Sequence, residues 1–211
     1  MSLKILAVSD EEVERLYALA SNGHFQGIDL ILSCGDLPYA YLGYLMDVLK
    51  VPLFYVPGNH DPQYSHSIAT RIEGAKNLDM GTARSHNLLL AGLGGCIRYR
   101  PDGINQYTQT EMFLRAARLL PQLLFNRIRY GRALDILITH SPPFGIHDED
   151  TSAHRGLKAI NWILSLAKPR YHLHGHTHIY RRNLAISDTQ AGPTRIINVH
   201  PYKVIEVSDE Q

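Results

Sequence analysis

The 211-residue sequence has few cysteines, no long apolar run and almost no net charge. Its two cysteines, Cys34 and Cys96, lie in apolar stretches, which favours buried free thiols and excludes a disulfide-rich scaffold. The apolar runs fall far short of the roughly 20 residues that a membrane-spanning helix needs, and acidic residues come too early for a signal peptide. The 21 basic and 20 acidic side chains leave a formal charge of +1, so no global field attracts nucleic acid or a membrane, although a local anion site is still allowed. We therefore expect a soluble, cytoplasmic protein.

Length and hydrophobic periodicity predict one domain over residues 1–211, because the length divided by about 150 gives roughly 1.4. Short apolar runs predict strands at residues 3–8, 28–33, 53–56, 88–93, 134–139, 171–173, 195–199 and 204–207. Helical spacing of apolar residues predicts helices at residues 13–20, 41–50, 110–129 and 157–167.

The order of these elements predicts the fold class. Strands that alternate with helices indicate α/β layers, whereas the two closing strands follow each other closely and are expected to be antiparallel, which favours a mixed sheet or two packed sheets. Pro121 should kink or split the helix that contains it. The long polar loops at residues 94–107 and 141–155 are candidates for the rim of a site.

The sequence is rich in histidine, with 12 in total, and four of them fall in the segment HLHGHTH at residues 172–178. Polar residues of metal-ligand or acid/base type follow five of the predicted strands. They are Ser9-Asp10, Gly35-Asp36, Gly58-Asn59-His60-Asp61, His140, and Gly175-His176-Thr177-His178. In α/β sheets, ligands collect at the carboxyl ends of strands, so residues far apart in sequence can meet in one pocket.

A site built from two Asp, one Asn and three His would combine oxygen and imidazole donors, which suits Mn²⁺, Fe²⁺ or Zn²⁺. Six donors are too many for one tetrahedral ion and about right for two ions that share a carboxylate. Two such ions activate a coordinated water near neutral pH and offset charge at phosphorus, while a nearby His can protonate the leaving alkoxide. The residues therefore indicate phosphoester hydrolysis.

Each motif has a simpler interpretation when it is taken alone. Asp10 and Asp36 could be N-caps of the following helices, the GNHD segment could be a turn, and His140 could be a core histidine at the end of a strand. The order of all five motifs, each after a strand, is what those interpretations do not explain.

The motifs SDEE, CGD, PGNHD, THSPP and HGHTH, which span residues 9–178, resemble those of the calcineurin-like metallophosphoesterase superfamily. GLGG and KPRYHLHGHTH are similar to its small bacterial and archaeal branch of predicted phosphoesterases. The resemblance implies a four-layer αββα sandwich of two mixed β-sheets flanked by helices. It also implies two divalent ions, with Mn²⁺ or Fe favoured over Zn²⁺.

The resemblance also assigns roles to particular residues. It implies six metal ligands: Asp10 and His178 for a first ion, Asp36 as a bridge, and Asn59, His140 and His176 for a second ion. His60 would be the general acid or a clamp on the phosphate.

Three departures from the family pattern affect these expectations. Glu12 stands where the family has the His of Asp-x-His, so the first site is expected to be weak, altered or empty. Glu12 could supply a carboxylate instead, but we favour its being the first residue of an exposed helix face. Gly-Asp is followed by LPYA rather than VDRG, which disfavours protein phosphatase activity. The segment NVHPY at residues 198–202 stands where many relatives have Asn-Pro-Gly and indicates only a loop near the site.

The remaining candidates concern the substrate. Arg98 and Tyr99 could cap a phosphoester, or belong to an exposed loop packed by its own tyrosines. His154 could donate to a substrate oxygen or be a surface histidine, whereas His172 and His174 favour supporting or core positions over ligation. We expect a metal-dependent hydrolase of a small phosphomonoester, phosphodiester or nucleotide, without a membrane or strong nucleic-acid signal. The alternative is a non-catalytic metal- or nucleotide-binding module with a degenerate first site.

Overall fold

The computed structural model of the chain describes residues 2–62, 72–178 and 187–208, which contain two large mixed β-sheets and five helices. The strands are β1 (Ser2–Val8), β2 (Leu30–Ser33), β3 (Leu53–Tyr55), β4 (Lys76–Asn77), β5 (Gly81–Ser85), β6 (Leu88–Leu93), β7 (Cys96–Ile97), β8 (Gln106–Tyr107), β9 (Ile136–Thr139), β10 (Tyr171–His174), β11 (Asp188–Ala191), β12 (Thr194–Asn198) and β13 (Tyr202–Ser208). The helices are α1 (Glu14–Ser21), α2 (Tyr39–Leu49), α3 (Gln109–Ala117), α4 (Leu120–Tyr130) and α5 (Lys158–Ala167).

Three apolar layers hold the sheets and helices together. In β1, Ile5 and Ala7 face a core shared by both sheets, while the alternate residues Leu6 and Val8 belong to the core beneath α1 and α2. A third core packs α3, α4 and α5 against the second sheet. Because successive side chains of a strand point to opposite faces, a strand buried on both faces must be apolar throughout. This arrangement confirms the predicted αββα sandwich.

The strand order brings parallel strands together in each sheet. The first sheet has the order β13-β1-β2-β3-β4, and the second has the order β11-β12-β10-β9-β6-β5. β1, β2 and β3 are parallel neighbours, and so are β12, β10 and β9. The carboxyl ends of these strands therefore lie at common edges.

The two closing strands lie in different sheets. β13 pairs antiparallel with β1, and β12 also has one antiparallel neighbour, as expected, although it runs parallel to β10 on its other side. Its antiparallel partner is β11, a short polar strand that the apolar pattern did not reveal. β12 thereby ends beside the HGHTH segment.

The helix predicted at residues 110–129 is split, as its proline requires. α3 ends at Ala117 and α4 begins at Leu120, with Pro121 in the first turn of α4. Proline is tolerated there because the N–H groups of the first turn have no partner within the helix.

Two other expectations concern cysteine and the membrane. Cys34 and Cys96 are free and buried, as predicted. Within the described residues, none of the helices has the length and apolar content needed to cross a bilayer. The single-domain organisation and the cytoplasmic location stay predictions.

Candidate metal centre

The fold brings the five polar strand tips to neighbouring positions. Asp10, Asp36 and the segment 58–61 follow three adjacent parallel strands of the first sheet. His140 and the segment 175–178 follow β9 and β10, which are adjacent parallel strands of the second sheet. Backbone hydrogen bonds join the tips within each sheet, from Asp10 N–H to Gly35 and from Gly175 N–H to His140.

Two glycines allow the loops of the site to pack closely. A Cβ atom at Gly58 would overlap the Asp36 carboxylate, and one at Gly175 would overlap Ser9 and the Asp10 carboxylate. Only glycine lets the backbone approach these carboxylates so closely. The Gly-Asn and Gly-His pairs in the motifs therefore have a steric origin.

Asp36, His140 and His176 form the one group of three potential metal ligands found among the described residues, with their donor atoms within 4.8 Å of one another. His140 Nε2 lies 3.4 Å from Asp36 Oδ2 and 3.0 Å from Asn59 Oδ1. The side chains of both histidines are buried, and their ring centroids are 4.7 Å apart. We call Asp36, Asn59, His140 and His176 the anchored half of the centre.

The hydrogen bonds of the two histidines fix which ring nitrogen is available. His140 Nδ1 lies 2.8 Å from the Cys34 carbonyl, which can only accept, so Nδ1 carries the proton and donates it. In the neutral ring, Nε2 would then point a lone pair at the Asp36 and Asn59 oxygens, which also carry lone pairs. A proton or a cation must therefore lie between Nε2 and these oxygens. His176 Nε2 donates in the same way to the Ala153 carbonyl at 2.8 Å and leaves Nδ1 free. Metal-binding histidines are characteristically oriented by such bonds, so the anchored half fits a divalent ion.

The charges in the anchored half are consistent with an ionised carboxylate. Burial alone would raise the pKa of Asp36, but the charge of His140 and the backbone N–H of His60 lower it to about 2. Burial would lower the pKa of His140, but the carboxylates of Asp36 and Asp10 raise it to about 9. Burial and the charge of His140 lower the pKa of His176 to about 3. The anchored half thus provides an ionised carboxylate at Asp36 and a neutral imidazole at His176.

The other predicted ligands, Asp10 and His178, form what we call the open half of the centre. Both carboxylate oxygens of Asp10 accept the backbone N–H of His176, at 3.0 and 2.9 Å. His178 is exposed, and its ring stacks on that of His200 at a centroid distance of 4.6 Å. Neither residue belongs to the group of donors within 4.8 Å among the described residues.

A sequence profile matches residues 3–180, and it describes the calcineurin-like phosphoesterases. The chain belongs to the calcineurin-like phosphoesterase family. The predicted resemblance to that family is therefore confirmed, and the match covers every predicted site residue.

This calcineurin-like phosphoesterase is similar in sequence to one curated protein and in fold to two solved structures. The uncharacterized protein MJ1162 of Methanocaldococcus jannaschii is 26% identical over 149 residues, which cover 64% of this chain and 62% of that protein. The match thus spans less than two thirds of the curated relative. TT1561 of Thermus thermophilus has a similar fold, with a TM-score of 0.64 at 18% identity over 94% of this chain and 89% of that chain. Another solved chain has a TM-score of 0.69 at 17% identity, covering 98% of this chain and 95% of its own length.

Glu12 does not join the donor cluster that is found among the described residues. It is exposed just before α1, and its Oε1 accepts a hydrogen bond of 2.5 Å from the Tyr17 hydroxyl. This bond raises the pKa of Tyr17 to about 12. Glu12 is therefore exposed, as the sequence favoured. It does not replace the imidazole that the family's Asp-x-His motif supplies at this position.

His60 lies on the solvent side of the anchored half. Its side chain is 74% exposed, and its Nε2 is 4.0 Å from Asp36 Oδ2, while its backbone N–H donates to Asp36 Oδ1 at 2.7 Å. A cavity of about 430 Å³ opens beside it, and its lining residues are Asp36, Leu37, Pro38, Tyr39, His60, Asp61 and Pro62. His60 can therefore reach a molecule that enters this cavity.

The substrate-loop candidates Arg98, Tyr99 and His154 differ in whether they contact the anchored half. The Tyr99 hydroxyl accepts a hydrogen bond of 3.3 Å from Asn59 Nδ2, so Tyr99 supports a predicted ligand. Arg98 instead pairs with Glu111, in the first turn of α3, at 2.9 Å. The ring centroids of His154 and His176 are 5.2 Å apart, and His154 Nδ1 lies 3.0 Å from Thr151 Oγ1.

The two histidines ahead of the GHTH turn are held by other contacts. His172 Nε2 lies 2.8 Å from Thr139 Oγ1, and His174 Nε2 lies 2.9 Å from Nδ1 of His147. Both are fully buried, in keeping with the supporting or core positions that the sequence favoured.

Several residues of the centre had no assigned role in the sequence. Asp61 Oδ2 accepts the backbone N–H groups of Gly58 and Asp36, both at 2.8 Å, and so ties two donor loops together. Its place in GNHD was a usable signal, because Asp commonly bonds to nearby backbone N–H groups. The position of His200 had no such signal, since it depends on the pairing of β12.

Proposed function

We propose that this chain is a metal-dependent hydrolase of a phosphomonoester or phosphodiester, with Asp10, Asp36, Asn59, His140, His176 and His178 as its metal ligands. The observation that supports this most is the anchored half, where Asp36, His140 and His176 bring their donor atoms within 4.8 Å. Divalent ions bound there would lower the pKa of a coordinated water to near neutrality and offset charge on the phosphoryl oxygens.

The donor atoms suit borderline divalent ions. The ligands offer carboxylate and amide oxygens and imidazole nitrogens, a set that suits Mn²⁺, Fe²⁺ or Zn²⁺. The resemblance to the family favours Mn²⁺ or Fe among these three. Cys34 contributes only its backbone carbonyl, through His140, while its thiol is buried and its pKa is raised by burial. A thiolate-selected metal is therefore disfavoured.

His60 is proposed as the general acid. Its imidazole is exposed beside the 430 Å³ cavity, while its backbone is held by Asp36, so the ring can turn toward a substrate without moving the loop. From there, Nε2–H can donate to the leaving alkoxide or to a phosphoryl oxygen. The size of the cavity suits a small phosphoester or a nucleotide.

Hydrolysis of p-nitrophenyl phosphate and bis-p-nitrophenyl phosphate with added Mn²⁺ tests the proposal. We expect turnover by the native chain, and a fall in kcat of roughly 100-fold or more in His60→Ala with its bound metal retained. His86→Asn is a matched control, because His86 is an exposed histidine in the β5–β6 turn and Asn tolerates its positive φ of 48°. Tight metal binding without turnover of either ester across Mn²⁺, Fe²⁺ and Zn²⁺ would instead favour the non-catalytic binding module.

A further inference from the structure

The open half has one imidazole fewer than the family pattern. Glu12 occupies the position of the missing histidine, but it is exposed and bonded to the Tyr17 hydroxyl. Asp10 and His178, with the shared carboxylate of Asp36, are a sparse set for an ion that usually takes at least four donors. A further donor must come from elsewhere in the chain if the open half is to hold its ion firmly.

His200 reaches the open half because β12 is parallel to β10. It follows Asn198, the last residue of β12, by two positions, and Val199 N–H continues the pairing by donating to the His174 carbonyl at 2.8 Å. The carboxyl end of β12 is therefore a sixth strand tip at the edge that carries the GHTH turn.

Hydrogen bonds hold the His200 backbone between the two loops of the open half. The buried Asn198 side chain donates to the Thr177 carbonyl at 2.7 Å and accepts the His200 N–H at 3.0 Å. On the other side, Ser9 N–H donates to the Pro201 carbonyl at 3.1 Å. His200 is thus attached to the residues that immediately precede His178 and Asp10.

One ring nitrogen of His200 is buried and could bind a metal ion. Its side chain is only 9% exposed, and its Nδ1 is buried with no hydrogen-bond partner among the residues that the structure describes. Its Nε2 lies 3.7 Å from Glu11 Oε2, which is beyond hydrogen-bond distance. A buried polar nitrogen without a partner is destabilising and requires an explanation, such as an ion.

We propose that His200 is a ligand of the open half and supplies the imidazole that Glu12 does not, so that Asp10, His178 and His200 hold one ion together with the shared Asp36. This inference rests on the proposed function, since it concerns the same centre. A competing explanation is that His200 only stacks on His178 and orients it, because the two rings are nearly parallel, at 11°.

Two substitutions separate coordination from stacking. His200→Phe keeps a flat aromatic ring but has no donor atom, whereas His200→Asp has a donor but no ring. Glu12→Gln is the control, because Gln can still accept the Tyr17 hydroxyl while losing the carboxylate. Each protein is loaded with Mn²⁺, desalted and analysed for metal content, and its circular dichroism melting curve is recorded to verify folding.

We expect about two ions per chain in the native protein and in Glu12→Gln, about one in His200→Phe, and an intermediate or restored content in His200→Asp. The exchange-coupled electron paramagnetic resonance signal of a Mn²⁺ pair should disappear in His200→Phe. An equal metal content in His200→Phe and the native protein would overturn the inference, as would the loss of an ion in Glu12→Gln.

A measurement on the native chain covers the case in which His200→Phe does not fold. In ¹⁵N-histidine-labelled protein titrated with Zn²⁺, the ring-nitrogen resonances of His200 should shift as the second equivalent binds. Unchanged His200 resonances at saturation would contradict coordination. Two bound ions without ester hydrolysis would contradict the proposed function while leaving the assignment of His200 intact.

Discussion

The two halves of the proposed metal centre differ in how their donors are held. In the anchored half, His140 and His176 are buried, and each is oriented by a bond to a backbone carbonyl. In the open half, His178 is exposed and stacks on His200. Donors already held in place lose less entropy when an ion binds. We therefore expect the anchored half to bind its ion more tightly than the open half does.

The largest effect should follow from removing a donor of the anchored half. His140→Ala deletes a fully buried, proposed ligand and leaves Asp36 and Asn59 without the nitrogen that faces them. We expect Mn²⁺ affinity at this half to fall by more than roughly 100-fold, since even changes to supporting residues cost 10–100-fold. Isothermal titration calorimetry measures this, and turnover of bis-p-nitrophenyl phosphate should fall with it. If His178→Ala weakened the tighter site as much as His140→Ala, the two halves would not differ as we describe.

Disturbing the support of the anchored half should have the next largest effect. Asp61→Ala leaves the backbone N–H groups of Gly58 and Asp36 without their acceptor, which should lower the free energy of unfolding by about 2–4 kcal/mol. Mn²⁺ affinity should fall by roughly 10-fold or more, because the Asp36 loop loses its attachment. Urea unfolding and calorimetry measure the two effects. Asp102→Ala, which changes an exposed aspartate of the 94–107 loop, is the control and should change neither.

The sequence predicted the two sheets and the motif residues because both depend on local patterns. Buried strands such as β6 have continuous apolar runs, and its predicted bounds of 88–93 are those observed. β5 and β11 were not predicted, since they are short, polar edge strands that exist only through antiparallel pairing with β6 and β12. Their sequences carry no apolar periodicity.

For the centre, the sequence identified donor types but not what orients them. The acceptors that orient His140 and His176 are the backbone carbonyls of Cys34 and Ala153, and any residue type has a carbonyl. The proximity of His200 to His178 likewise depends on the parallel pairing of β12 with β10, which the sequence did not predict. Such long-range backbone geometry has no local signal in the sequence.

The affinity of the anchored half should depend on pH. Without an ion, the pKa of His140 is raised from 6.5 to about 9, so Nε2 is protonated at neutral pH and must lose that proton to coordinate. Mn²⁺ binding therefore weakens as the pH falls below about 9, and the loss approaches tenfold per unit once His140 is largely protonated in the free chain. Calorimetry at pH 6, 7 and 8 in buffers of different ionisation enthalpy measures both the affinity and the released proton. A pH-independent affinity over this range would show that His140 does not coordinate through Nε2.

The smallest effect should come from removing one hydroxyl at the edge of the anchored half. Tyr99→Phe keeps the ring but leaves Asn59 Nδ2 without its acceptor at 3.3 Å, while Asn59 Oδ1 still faces His140. A single neutral hydrogen bond contributes about 1 kcal/mol, so we expect Mn²⁺ affinity to fall by about fivefold. The change should be several times smaller than that of Asp61→Ala, because Tyr99 holds one side chain whereas Asp61 holds the backbone of two loops. An equal or larger loss in Tyr99→Phe would mean that orientation of the Asn59 amide, rather than attachment of the loops, distinguishes the anchored half from the open half.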